Sequence, residues 1–548
     1  LPTQIVLTRH IQSSKLWSPV RKAQVAAFVL ALGVGGPMPL LAQAPHEAAT
    51  VGPASLQLPT LGDGSDMTSA AERRLGDRIA REIYRDPDYI DDPVLGEYVQ
   101  GIWQPLLAAA RARGDLTGEL DERFAWQVML GRDRTVNAFA LPGGYLGLHL
   151  GLIAVVGSRD ELASVMGHEL SHVTQRHISR LMSKQGQQTP WMIGAMILGI
   201  LAASKSPDAG SALIVGGQAV AAQSQLNFSR DMEREADRVG FGVMTQAGFD
   251  GHGFVAMFDK LQQASRHNDS GAYPYLRSHP LTTERIADMQ SRQPLGAATA
   301  VSVLPSAEHA MISARARVLS NPGVDALRAI GAEAQGVQLA SLPAVRQAGI
   351  LYGAALSANR LRDFETARDC LARLTQQVGA DLPAQRLLRL LTLEVALASG
   401  DSARAAALLQ ASVAEPGVAG ASDATQRRPE LFLRAQLAMQ VGQALQISDV
   451  AQRLQVWVLA HPQDAQAWQL LSSACAAQGQ TLRAIRADAE AQMAVLDYAA
   501  ALERFKAAQG LLRQVRSGTA EADHIDASII DTRRRQVELL AKEQALER

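Results

Sequence analysis

The sequence predicts a mainly α-helical protein in two parts: an α+β domain with a small sheet, then a solenoid of helical pairs. Three observations carry this expectation. Two segments of the first half keep apolar residues at helical spacing: Leu162, Val165, Met166, Leu170 and Val173, then Met232, Ala236, Val239 and Val243. Residues 124–130 and 137–140 are short and apolar, and Pro142-Gly143-Gly144 follows them, the pattern of two strands and a turn. The C-terminal third is rich in alanine and leucine and is broken by short turns into helices.

Composition sets the bounds. Of 548 residues, 47% are hydrophobic and 20% charged, enough for two or more cores in a globular chain. Net charge is −1 with no basic stripe, which argues against nucleic acid as a partner. Cys370 and Cys475 are the only cysteines and read as buried free thiols rather than a pair.

The chemistry is concentrated in His168-Glu169-Leu170-Ser171-His172. Two histidines four residues apart share one helix face, so both imidazoles can close on one zinc ion per chain. Glu169 between them is placed to act as general base on a water there. The surrounding residues make the helix apolar on most of its surface, so these polar groups need buried partners.

A third ligand is expected from the segment Ser229 to Asp237, which holds Glu233 and Glu235. Glu233 shares its face with Ala236, Asp237 and Gly240, small residues that let another helix come close. Glu235 shares its face with Asp231 and Arg238, which suggests solvent. Glu233 is therefore the expected ligand. Asp237, one turn on, is placed to hold a ligand histidine by its second ring nitrogen. His177 follows His168 by nine residues, half a turn round a continuous helix, and is expected to point away from the metal.

Together with Val136-Asn137-Ala138-Phe139-Ala140-Leu141-Pro142-Gly143-Gly144, these two segments resemble the zinc metallopeptidases that include the heat-shock peptidase HtpX and the CAAX-prenyl endopeptidases. The resemblance covers roughly residues 71–293. It implies a zincin-type fold, Glu233 as third ligand, and a strand edge at Asn137, Ala138, Phe139 and Ala140 that holds substrate as an added strand. In HtpX-like relatives the region after the metal helix spans the membrane. Here it holds two apolar runs, 191–203 and 212–222, each too short to cross a bilayer. They either touch a membrane surface or an unfolded client, or pack on the core. His279-Pro280 resembles a segment of the family's periplasmic branch, in which the histidine occupies the metal's open position and keeps the site latent. Oxyanion stabilisation is a rival role for His279, and a helix-start residue before Pro280 is a third.

The chain divides into six expected segments. Residues 1–44 form an export signal, with Arg21-Lys22 before an apolar run and Ala42-Gln43-Ala44 as a cleavage site near Ala44. An uncleaved anchor is the alternative. Residues 45–70 are a flexible lead-in, 71–295 the metallopeptidase domain and 296–343 a helical linker. Residues 344–515 carry about four degenerate tetratricopeptide repeats, and 516–548 form a capping helix. The expected protein is a periplasmic zinc endopeptidase in outer-membrane protein quality control. Its partners are polypeptide substrates and, through the repeats, the outer-membrane β-barrel assembly machinery, with peripheral membrane contact through 191–222. The alternative is a chaperone or scaffold with a latent peptidase site.

Overall fold

The computed structural model describes residues 67–184, 229–266, 273–293, 306–411, 427–514 and 521–546. The export signal, nearly all of the lead-in and the apolar runs 191–203 and 212–222 lie outside the described residues. Among the described residues, no helix is long and apolar enough to cross a membrane.

One small sheet and many helices make up the fold. The strands are β1 (Tyr89–Ile90), β2 (Gln127–Gly131), β3 (Ala138–Leu141) and β4 (Tyr145–His149). Their order is β1-β2-β4-β3, with β2 and β4 parallel and the other pairs antiparallel. The β3–β4 hairpin turns on Gly143 and Gly144, at φ of 74° and 85°, backbone that glycine adopts without strain. β2 begins later than residue 124. Trp126 takes a left-handed φ of 51°, so extended pairing starts only at Gln127. β3 is one residue offset from 137–140, and Asn137 joins through its carbonyl, which accepts the His149 N–H at 3.1 Å.

The sheet is covered on both faces, as the fully buried β4 requires. Helix α1 (Ser69–Tyr84) lays Leu75, Ile79 and Ala80 against Met129, Leu141 and Tyr145. The other face belongs to the main core, shared with α2 (Pro93–Arg113), which starts after the Asp92 cap with proline in its first turn. Then come α3 (Gly118–Arg123), α4 (Leu150–Val155), α5 (Arg159–Thr174), α6 (His177–Lys184), α7 (Arg230–Gln246), α8 (His252–Arg266), α9 (Tyr275–Ser278) and α10 (Thr283–Ser291).

The rest is helical pairs. α11 (Ala307–Ser320) and α12 (Val324–Glu333) fall in the expected linker. They are followed by α13 (Ala344–Arg360) with α14 (Phe364–Gln377), and α15 (Leu382–Ala398) with α16 (Ser402–Ala411). Next are α17 (Arg428–Val441) with α18 (Ala444–Ala460), and α19 (Ala465–Ala477) with α20 (Thr481–Ala494). α21 (Tyr498–Gln514) and α22 (Glu521–Leu546) end the series. The expected fold class, mainly α with a small sheet and a helical repeat region, is what the structure has. Cys370 and Cys475 are both buried free thiols.

One apolar core runs from Val94 in α2 to Leu437 in α17. Three arginines of the helical pairs also grip the start of α2. Arg315 holds Asp92 through two bonds of 2.8 and 2.7 Å, Arg386 joins Glu97 to Glu430, and Arg428 joins Asp91 to Asp464. Such forked pairs fix orientation as well as charge. Burial alone would raise the Asp92 carboxyl, but Arg315 and the Leu95 N–H hold it below its ordinary value.

The substitution Asp92→Asn keeps the cap acceptor and removes the charge from a buried pair, so it is expected to cost about 3 kcal/mol at pH 7. A depressed carboxyl stabilises the fold above its unfolded pKa, near 3.9, and loses that contribution as pH falls through its folded pKa. The gap between wild type and variant should therefore hold from pH 7 to about 5 and close below about 4, as urea melts at several pH values will read.

Candidate metal centre

α5 is built to be buried. Ser158 caps it by accepting the Glu161 N–H at 3.1 Å, and Asp160 and Glu161 favour its positive end. Every side chain from Glu161 to Thr174 is buried. α7 starts the same way, with Ser229 accepting from Met232 N. The two helices cross at Gly167 and Gly240, where a Cβ on Gly240 would lie 2.9 Å from the Gly167 carbonyl. That approach brings the Glu233 carboxylate beside the α5 imidazoles.

His168 Nε2 and His172 Nε2 lie 3.0 Å apart. Glu233 faces both, with Oε2 3.4 Å from His168 Nε2 and Oε1 3.5 Å from His172 Nε2. His279 completes the cluster, its Nδ1 3.0 Å from Glu233 Oε1 and 3.4 Å from His168 Nε2. Candidate ligand atoms of these four buried residues all lie within 4.8 Å of one another. Behind them, Asp237 Oδ1 is 2.9 Å from His168 Nδ1, a short contact that the ring N–H meets off line.

Glu169 projects next to the cluster. Its Oε2 accepts the Ala140 N–H of β3 at 2.9 Å, while Oε1 is buried without a hydrogen-bond partner, 3.5 Å from His279 Nε2. β3 is thus the edge strand beside the site, and no described strand pairs with its outer side. Since Asn137 bonds to β4, alternation turns the backbone groups of Ala138 and Ala140 outward. Phe139 lies over Gly147 on β4.

Two expectations fail on the course of the chain after α5. The helix does not continue to His177. Arg176 takes φ 52°, a left-handed conformation costing a non-glycine residue about 1 kcal/mol, and its side chain is tied to Glu72 at 3.0 and 3.1 Å. This turn swings His177 back under His172, with the Nδ1 atoms 3.0 Å apart, instead of away from the site. Glu235 is likewise not left to solvent: it takes His177 Nε2 at 3.1 Å and Arg180 at 2.8 Å. Burial pushes His177 down to about 4, so its ring is neutral. Burial alone would raise Glu235, but Arg180 and His177 hold it below its ordinary value. His279 does not start a helix either. It caps the end of α9, stacked on Tyr275, and α10 begins at Thr283 behind the Thr282 cap.

Arg285 was not foreseen. It binds Asp237 through 2.6 and 2.7 Å bonds and Glu233 at 2.8 Å. It stands 48 residues from Asp237, so no local spacing could pair them. Three buried carboxylates, Glu169, Glu233 and Asp237, surround the histidines, against this one described guanidinium. The residual negative field is what a divalent cation would meet. It shows in His168: burial alone would lower the ring, but Asp237 and Glu233 override it and push it up to about 9. His172 is pushed well down by burial and by His168. Two imidazoles and a carboxylate facing one point, with orphaned buried oxygen beside them, fit a metal ion.

Residues 106–293 match peptidase family M48. The chain carries an M48 peptidase domain. It therefore holds every clustered residue, from His168 to His279. A beta-barrel assembly-enhancing protease of Yersinia pestis is 29% identical over 489 residues, 88% of this chain and 93% of that protein. A Vibrio cholerae protein provisionally given the same name is 35% identical over 325 residues, 59% of this chain and 64% of that protein, under two thirds of its length. The mitochondrial metalloendopeptidase OMA1 of Saccharomyces cerevisiae is 24% identical over 201 residues, 36% of this chain and 55% of that protein.

In the M48 domain, Gly240→Ala should force α5 and α7 apart, because the atoms it meets are backbone. The steric cost, about 1–3 kcal/mol, outweighs the gain in helix propensity of at most about 1 kcal/mol. A lower melting temperature is expected, read by a thermal melt of the full chain beside wild type.

Proposed function

We propose that the protein is a zinc metalloendopeptidase of the cell envelope, periplasmic, acting on misfolded or misassembled outer-membrane proteins. The observation that carries this is the buried meeting of His168, His172 and Glu233 beside Glu169 in an M48 domain. One zinc per chain, held by those three residues, would supply the Lewis acidity that makes a water reactive near neutral pH. Asp237 and Arg285 hold His168 and Glu233 in place.

Substrate lies along the outer edge of β3 as an added strand, using the backbone of Ala138 and the carbonyl of Ala140, whose N–H is held by Glu169, with Asn137 and Phe139 flanking. Glu169 spans strand and cluster. Its orphaned Oε1 takes the proton of the attacking water and returns a proton to the leaving amine. The helical pairs from residue 344 act as tetratricopeptide repeats that bind clients or dock on the β-barrel assembly machinery, a reading supported by their regular short-turn pairing and by the names of the relatives.

His279 is proposed as a latch, in the position that an incoming water or carbonyl would need. The same observation favours a second reading, a scaffold whose peptidase site stays latent.

Elemental analysis should give one zinc per chain in wild type and none in Glu233→Ala. A zinc-free, well-folded wild type would put the scaffold reading first. Glu169→Gln should keep zinc and lose proteolysis by about 10²–10⁴-fold. His279→Ala should raise the rate, and an unchanged rate would remove the latch.

A further inference from the structure

His177 is fully buried and stands outside the four clustered residues, yet it touches one of them. Its Nδ1 is 3.0 Å from His172 Nδ1, and its Nε2 is 3.1 Å from Glu235 Oε2. Arg180 binds the same Glu235 oxygen from 2.8 Å. With one proton on each ring, these contacts fix where the protons lie. A carboxylate only accepts, so His177 Nε2 carries the hydrogen that Glu235 receives. A ring with its single proton on Nε2 has a bare Nδ1, which accepts from His172 Nδ1 at 3.0 Å. His172 Nδ1 must therefore be the donor, and the lone pair of His172 lies on Nε2. That is the nitrogen that faces His168 and Glu233.

We propose that His177 is a positioning residue: backed by Glu235, it fixes the proton of His172 on Nδ1 and so presents the Nε2 lone pair to the metal. The inference rests on the zinc reading above. Behind His168 a carboxylate stands directly, Asp237 Oδ1 2.9 Å from Nδ1, whereas behind His172 the carboxylate of Glu235 acts through an intervening ring. The two branches leave α7 on different faces, Asp237 inward and Glu235 toward α6. The left-handed Arg176 is the backbone feature that allows the second branch, because a continuous helix would carry His177 to the far side. A reversed tautomer of His177 would turn its Nδ1–H toward His172, move the His172 proton to Nε2 and take that nitrogen from the metal.

Zinc affinity by chelator competition on the full chain tests this, in wild type, His177→Leu and His177→Asn. Leu should weaken binding about 10–100-fold. Asn, whose side-chain oxygen stands near the place of Nδ1 and can accept from His172, should recover much of the loss. Equal affinity in wild type and the Leu variant overturns the proposal, as does an Asn variant as weak as Leu, which would make His177 a packing group. If the Leu variant does not fold, Glu235→Ala, at a half-buried position, carries the test: weaker zinc binding supports the relay and unchanged binding overturns it. A wild type that takes up no zinc overturns the metal reading and this inference together. A wild type that binds zinc beside variants that bind equally well overturns this inference alone.

Discussion

The site depends on the crossing of α5 and α7 at Gly167 and Gly240. No side chain stands between the two backbones there, and a single methyl would sit 2.9 Å from a carbonyl carbon. Helices usually pack with axes about 8–10 Å apart, set by the side chains at the contact. Glycine on both sides removes that spacer. Glu233, a short reach from α7, can then face both histidines of α5, and Asp237 one turn on can reach the back of His168. The proposed ligand set is thus a product of backbone proximity as much as of the residues themselves.

Electrostatics makes the same site costly to fold and ready for a cation. Burying Glu169, Glu233 and Asp237 near one another is unfavourable unless the charges are paired. Arg285 pairs with two of the three, and the raised His168 shows the remaining field drawing in a proton. A cation at the site would compete with a proton for that ring. Stability and metal affinity are linked through the same buried charges.

Much of this was legible in the sequence, for reasons that can be named. The pentad works at four-residue spacing within one helix, so the periodicity of α5 alone puts both imidazoles on one face. Glu233 could be separated from Glu235 because Ala236 and Gly240 mark the close-packed face of α7. What escaped notice depends on chain reversals or on tertiary contacts. His177 was expected on the far side because a continuous helix was assumed, and nothing in Gln175-Arg176 announces a left-handed residue. Arg176 is held in that conformation by Glu72, more than a hundred positions away. Glu235 looked solvent-facing only because α6, which covers it, could not be placed. Arg285 and Asp237 meet through the fold and share no local pattern.

The helical pairs are not merely appended to the M48 domain. The start of α2 offers Asp91, Asp92 and Glu97, and each is taken by an arginine from a different pair: Arg428, Arg315 and Arg386. α2 in turn packs its Ile102, Leu106 and Ala110 into the core that holds α5. Forked arginine pairs tolerate little rotation, so these three contacts, the buried Arg315–Asp92 pair above all, fix how the helical pairs sit against the start of α2. α2 also packs against α5, the helix that carries His168 and His172. The helical pairs are thus joined to the core around the candidate metal site at two places, the start of α2 and the packing of α11 on α4, where His309 bonds to the Val156 carbonyl just ahead of α5.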